Sequence, residues 1–99
     1  MTDSQFSKAI QQRDGGFCRV CQKPSHEVHH IVRREVLSVR WDEQNGISLC
    51  WKCHRKAHGK DREVMHRIKS VMEMLYGDDW QRNLEKKSGE IIKLPRDSF

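Results

Sequence analysis

The sequence predicts a single small domain of the α+β class, held together by a metal ion rather than by a large apolar core. At 99 residues and 35% hydrophobic content, the chain is too short and too polar to bury a generous core. Its four cysteines form two Cys-x2-Cys pairs, Cys18 with Cys21 and Cys50 with Cys53. Because soft thiolates in two such hooks can close a tetrahedron around Zn²⁺, we expect a structural zinc site.

The cysteine spacing also permits a second interpretation, a framework of disulfides. The chain has no secretory h-region at its N-terminus and no long apolar run. These features favour a reducing, cytoplasmic setting with no membrane attachment, and therefore a metal staple. The net charge of +5 suits a polyanionic partner, although plain soluble domains also carry such an excess.

The first predicted element is a short helix over residues 4–12. Phe6, Ala9 and Ile10 fall on one face of this helix, and Asp14 with the two glycines after it ends the pattern. The first cysteine hook follows directly.

Two short strands are predicted in the middle of the chain. Residues 27–32 are rich in β-branched side chains, which indicates a strand. Residues 33–46 have the character of a long loop, in which Asn45-Gly46 signals a turn before a second strand at residues 47–49.

Three helices are predicted after the strands. The first covers residues 51–58 and stops at Gly59, so that the middle of the chain reads strand, strand, helix. Asp61 can cap a helix over residues 63–76, and Asp79 another short one. We expect the methionine and aromatic positions of these last two helices to pack in the core.

A histidine pattern is interleaved with the cysteines and has the spacing His-His-x14-Asn-x8-His-x3-His. It resembles the signature of the HNH or ββα-metal nucleases, which include the DNase colicins, many homing and restriction enzymes and small phage proteins. The flanking hooks resemble the zinc-stapled branch of that family. The resemblance covers residues 13–59 and implies a ββα-metal core there. The whole chain, residues 1–99, would then be one HNH nuclease domain, with a helical extension and tail over residues 60–99.

The histidines divide into two kinds by position. His54 and His58 are four apart on a predicted helix, so they can grip one ion from the same face. His29 and His30 are neighbours on a predicted strand and point to opposite sides, which leaves one of them free for another task. Alternation does not say which one. The family resemblance assigns His29 to the metal with His54 and His58, and His30 to water activation as the general base.

Two further residues gain roles from the resemblance. By resemblance, the amide of Asn45 would form hydrogen bonds across the long loop and hold the strand of the base. The alternative interpretation is that Asn45 is a turn residue before Gly46, and both can hold together. Glu27 shares a strand face with His29 and resembles the acidic residue that the colicin enzymes carry there. We expect Glu27 to pair with an arginine rather than to bind the metal.

The resemblance implies DNA as the partner. Candidate contacts are the basic residues of the loop and of the helix after it: Arg33, Arg34, Arg40, Lys52, Arg55, Lys56 and Lys60. Phosphate contacts position a duplex without reading it, so we expect little sequence specificity. Trp51 is expected in the core, whereas Trp41 suits either the core or stacking on bases.

The resulting expectation is an endonuclease that hydrolyses DNA phosphodiesters with one divalent ion, namely Mn²⁺, Ni²⁺, Co²⁺, Zn²⁺ or Mg²⁺. One alternative is a zinc-stabilised module that binds nucleic acid without cutting it. Another is a nuclease subunit of a phage packaging or restriction complex. In that case the apolar tail over residues 89–99 would dock to a protein partner, although it could equally pack back on the domain.

Overall fold

The computed structural model describes residues 1–94 and confirms the predicted α+β class. Its elements within that range are α1 (Asp3–Asp14), β1 (Glu27–His30), β2 (Gly46–Leu49), α2 (Trp51–His58), α3 (Arg62–Tyr76) and α4 (Trp80–Ser88). Two short 3₁₀ helices, Leu37–Val39 and Glu43–Asn45, lie in the connection that was predicted as an irregular loop. None of the helices in residues 1–94 combines the length and the apolar character that crossing a bilayer requires.

Local capping sets the helix ends. Thr2 and Gln5 form a capping box at the start of α1, and the Asp61 side chain accepts a hydrogen bond from Val64 N at the start of α3. Asp79 is the N-cap residue of α4, as predicted, but its side chain forms no capping hydrogen bond within residues 1–94. Its backbone lies at φ −87° and ψ 4°, and not in the extended conformation that usually aims a cap at the helix N–H groups.

The two strands form an antiparallel hairpin-like sheet in which Glu27 pairs with Leu49 and His29 with Ile47. Gly46 begins β2 in an extended conformation, at φ −129°. A Cβ at this position would lie 2.8 Å from Phe6 Cζ, so glycine is needed here for the close approach of α1 and not for a left-handed turn.

The core lies between the sheet and the helices. α1 covers β2 with Phe6 and Ile10, α3 packs on α2, and α4 packs on α3 and on the long connection. Trp80 is fully buried and its indole N–H donates to the Gln44 carbonyl at 2.8 Å. Ile68, Met72 and Leu84 are also buried, so core packing of α3 and α4 is confirmed.

A buried ion network ties α1 to β2. The Asp14 carboxylate accepts hydrogen bonds from Arg13 and Arg19, both at 2.8 Å, and from Ser48 N at 2.9 Å. Arg13 also donates to the Gly46 carbonyl at 2.8 Å. Burial alone would raise the pKa of Asp14, but the two guanidiniums hold it below its ordinary value. The carboxylate therefore stays charged and fixes the start of β2.

Two expectations about apolar residues had different outcomes. Trp51 was expected in the core and is instead 61% exposed, because Cys53 and Ala57 form the buried side of α2 and Trp51 lies on the other side. In the C-terminal segment, Ile92 is buried and Leu94 packs against the core, so the tail folds back on the domain as far as residue 94. Residues 95–99, the rest of the predicted docking tail, lie outside the described residues.

Candidate metal centres and active site

The first candidate site is a cluster of four thiols where the first hook meets the start of α2. The sulfurs of Cys18, Cys21, Cys50 and Cys53 all lie within 4.8 Å of one another. Cys21 Sγ and Cys50 Sγ are 3.5 Å apart, close to the roughly 3.8 Å expected between sulfurs that share a tetrahedral ion at ~2.3 Å. All four are unbridged. One ion explains this four-way convergence, whereas disulfides would require only pairwise contacts.

The backbone around the thiols is arranged to stabilise thiolates. The N–H groups of Val20 and Cys21 point at Cys18 Sγ from 3.4 Å, and the N–H of Cys53 points at Cys50 Sγ from 3.5 Å. Burial alone would raise the pKa of Cys50, but the Cys53 N–H and the neighbouring sulfurs lower it to about 7. The donor set therefore fits a structural metal ion, with zinc as the plausible species.

The second candidate site joins β1 to α2. His29, His54 and His58 each offer a ring nitrogen within 4.8 Å of the others. Nε2 of His54 and Nε2 of His58 are 3.2 Å apart, close to the ~3.3 Å expected for two nitrogens bound to one tetrahedral ion at ~2.0–2.1 Å. The i, i+4 spacing on α2 produces the pair, and the strand pairing of β1 with β2 brings His29 beside it.

His29 is in the state that metal binding requires. Burial, together with the smaller effect of the neighbouring His54 and His58, lowers the pKa of His29 to about 3, so the ring is neutral at physiological pH. Its Nδ1 is buried and has no hydrogen-bond partner within residues 1–94. A buried polar atom without a partner is costly, and a bound ion would remove that cost.

Glu27 orients the second histidine. Its Oε1 lies 2.9 Å from His54 Nδ1, so the expected pairing of Glu27 with an arginine is wrong. A carboxylate that accepts the Nδ1 hydrogen leaves Nε2 of the same ring unprotonated and directed at His58. This arrangement fixes the tautomer that a metal ligand needs.

His30 faces away from the three clustered histidines, as the alternation of β1 requires. Its ring stacks on Phe6 of α1 with centroids 4.9 Å apart, and Nε2 is 3.0 Å from the Arg40 carbonyl oxygen. Since a carbonyl oxygen only accepts, Nε2 carries the hydrogen and Nδ1 is left as the basic nitrogen. Burial lowers the pKa of His30, although the Arg40 carbonyl partly opposes this effect.

Asn45 is fully buried and connects the segments on either side of the loop. Its Oδ1 accepts from Val32 N at 2.5 Å, while Nδ2 donates to the carbonyls of Val32 and Val39 at 3.0 and 3.1 Å. Val32 lies two residues after His30, and Val39 precedes Arg40. Asn45 thus connects the strand that carries His30 to the segment that carries Arg40, whose carbonyl oxygen contacts His30. It also closes a turn before Gly46, as the alternative interpretation expected.

A cleft of about 280 Å³ opens beside these residues. His29, His30 and His58 all line it, together with Arg33 and the last described segment, residues 90–93. The two kinds of histidine therefore border one space, although they lie on opposite faces of β1.

The candidate DNA contacts differ in how available they are. Arg33 pairs with Glu90 at 3.0 Å and Arg34 pairs with Asp3, both as solvent-exposed ion pairs. Exposed ion pairs of this kind contribute only ~0.2–1 kcal/mol to stability, so each arginine can readily exchange its carboxylate partner for a DNA phosphate. Arg40 is turned inward, with its guanidinium carbon 4.7 Å from the ring centroid of the half-buried Trp41. The remaining candidates are exposed: Lys52, Arg55, Lys56 and Lys60.

Sequence reasoning missed the ion network of Asp14, which positions β2 and hence the register of the histidine strand. Asp14 had been interpreted only as the end of a helix. No local pattern identifies a buried carboxylate whose partners include a backbone N–H 34 residues away.

Comparison with known families agrees with this geometry. Residues 18–60 match the HNH endonuclease family model, and the match contains both strands, α2 and both clusters. No curated protein and no solved structure matches the chain significantly. Residues 18–60 therefore resemble an HNH endonuclease-family segment, and the four cysteines clustered for a metal fit the zinc-stapled branch of that family.

Proposed function

We propose that this protein is a metal-dependent endonuclease that hydrolyses DNA phosphodiester bonds with little sequence specificity. The observation that carries the proposal is the convergence of His29, His54 and His58 inside a family-matched segment. A purely structural role does not require three imidazoles beside a separate four-thiol cluster. Thiols reserved for a metal ion would suit a reducing, cytoplasmic setting.

The three clustered histidines would hold one divalent ion with coordination positions left for substrate. When bound, the ion would neutralise charge on the scissile phosphate and stabilise the leaving 3′ oxygen. Imidazole ligands favour Mn²⁺, Co²⁺, Ni²⁺ and Zn²⁺, so Mg²⁺ should be needed at higher concentration. Glu27 contributes by holding the His54 ring in its ligating tautomer.

His30 would act as the general base. Its Nδ1 is the nitrogen free to accept a proton from water, because the Arg40 carbonyl occupies Nε2–H. Stacking on Phe6 limits rotation of the ring. Asn45 is the positioning residue for this base, since it binds the backbone on both sides of the His30–Arg40 contact.

DNA would be held through its phosphates. Arg33, Lys60 and the exposed basic residues of α2 surround the cleft and its neighbourhood, and none of these interactions requires a particular base. Low sequence specificity follows from this kind of contact.

A plasmid-nicking assay on the isolated protein, with each divalent ion in turn, tests the proposal. His30→Ala should lower the cleavage rate by ~10²–10⁴-fold and leave folding and metal content unchanged. His26→Ala is the matched control, because His26 is an exposed histidine just before β1 and its variant should cut DNA normally.

DNA binding without nicking under every ion would instead indicate a binding module. Cutting only after addition of partner proteins would indicate a subunit of a larger complex. Equal rates for His30→Ala and wild type would show that another group is the base.

A further inference from the structure

An exposed tryptophan on the helix that carries His54 and His58 has no role in the chemistry described so far. Trp51 is the first residue of α2 and 61% of it is exposed. A single exposed apolar residue is ordinary, but indole is the largest apolar side chain, and on this helix it stands next to charged groups. Its surroundings therefore decide whether it has a function.

Trp51 lies on the helix face that carries the metal-binding candidates. On an α-helix, residues at i, i+3, i+4 and i+7 share one side, and for Trp51 these are His54, Arg55 and His58. At ~1.5 Å of rise per residue, Trp51 is about 4.5 Å along the axis from His54 and about 10.5 Å from His58. Successive nucleotides of one strand rise ~3.4 Å, so these offsets correspond to roughly one to three nucleotides.

The surface around Trp51 is positively charged. The Arg55 guanidinium carbon is 5.8 Å from the indole centroid, within cation–π range. A cleft beside the ring is lined by Lys23, Lys52 and Lys56 together with cysteines of the thiol cluster, and no acidic residue lines it. Four thiolates around Zn²⁺ carry a net charge of about −2, which these cations outnumber. The charge is complementary to a polyanion, and an exposed aromatic ring with a neighbouring guanidinium is the usual platform for an unstacked base.

We propose that Trp51 and Arg55 form a stacking platform for an unpaired base that lies one to three nucleotides from the scissile phosphate. The preferred substrate class is then DNA with unpaired nucleotides next to the cleavage site, such as single strands, flaps or loops, over continuous duplex. In a duplex both faces of each base are already covered, and presenting one to the indole costs unstacking energy. The substrate preference rests on the proposed nuclease function, whereas the platform itself can be tested by binding alone.

The binding test uses fluorescence anisotropy with a labelled single strand, the same strand with abasic sites, and a continuous duplex of equal length. The proteins carry His30→Ala so that DNA remains intact. We expect Trp51→Ala to weaken single-strand binding roughly 5- to 150-fold, which corresponds to the loss of one stacked base. Trp51→Phe should retain most of the affinity. Duplex and abasic binding should change less than about twofold. Met74→Ala is the matched control, since Met74 is an equally exposed apolar residue on α3.

Two outcomes would overturn the platform. Equal loss of affinity for all three DNAs would mean that Trp51 supports the fold or the charge of the surface, and a thermal melt would separate these cases. Unchanged affinity for all three would assign the tryptophan to another partner class, such as a protein. A cleavage assay on flap and duplex substrates with wild-type protein then separates the two proposals. Absence of cutting on both substrates, alongside Trp51-dependent binding, would refute the nuclease and retain the platform.

Discussion

The cysteine cluster and the histidine cluster meet on α2, where Cys53 directly precedes His54, but the two clusters are suited to different purposes. Cys53 is buried on the inner side of α2, whereas the next residue, His54, is half-buried on the outer side and His58 is exposed. The thiol cluster offers four donor atoms, enough to close a tetrahedron around one ion, while the imidazole cluster offers three and borders an open cleft. A closed ligand set favours stability and an open one favours substrate access.

The difference also shows how one short helix can contribute residues both to a stabilising cluster and to a proposed catalytic cluster. An ion bound by Cys50 and Cys53 would anchor the first turn of α2, and it would thereby fix the direction in which His54 and His58 leave the helix. Changes in the histidine cluster should therefore remove activity and leave the fold intact, whereas changes in the cysteine cluster should remove both. Four predictions test that separation, from the largest expected effect to the smallest.

Replacing Cys53 with Ser should abolish both folding and activity. Structural zinc contributes ~10–16 kcal/mol in small zinc domains at pH 7, comparable to the ~5–15 kcal/mol that stabilises a whole domain. Circular dichroism melts and elemental analysis should show a zinc-free chain without a cooperative transition at 25 °C. A folded, active variant without bound zinc would refute the structural zinc site.

Mild chelation should remove activity before it removes the fold. The open three-imidazole site should release its ion first, because the closed thiolate site binds more tightly. We expect full loss of cleavage with an unchanged melting temperature, and recovery on addition of Mn²⁺, Co²⁺ or Ni²⁺. Parallel elemental analysis should show the tightly held zinc still in place. If activity disappears only when the protein unfolds, the two-site interpretation fails.

His58→Ala should weaken metal binding without unfolding the domain. Because His58 is exposed, the free energy of unfolding should change by less than ~0.5 kcal/mol. At limiting metal, the cleavage rate should fall by more than the ~10–100-fold that is lost when a residue hydrogen-bonded to a metal ligand is removed. Excess metal should restore part of the rate. Failure of every metal concentration to restore activity would assign His58 a role other than that of a ligand.

Glu27→Gln should have the smallest effect of the four. Glutamine can still accept the His54 Nδ1 hydrogen, but without charge, so the imidazole becomes a weaker ligand. We expect ~10–100-fold lower metal affinity, measured by titration, with an unchanged melt. Glu35→Gln is the control for the change in net charge, since Glu35 is exposed on the loop after β1. Equal behaviour of the two variants would show that the Glu27 contact has no effect on the metal.

Much of the fold could be read from local signals. The helix over residues 51–58 was predicted with the bounds that the structure shows, because it begins after a capping cysteine and ends at Gly59. The thiols and the histidines of α2 also converge as their spacing predicted, since each hook and the i, i+4 pair is closed within about one turn of chain.

The sequence by itself thus determined which cysteines and histidines cluster on and next to α2 and the strand-strand-helix order, all of which depend on spacing over a few residues. Only the tertiary structure decided the exposure of Trp51, the contact of Glu27 with His54 and the burial of Asp14. These features depend on which elements pack together, and partners such as Glu27 and His54 are 27 residues apart. Local patterns carry little information about such contacts, because a side chain is buried or paired only after distant segments have met.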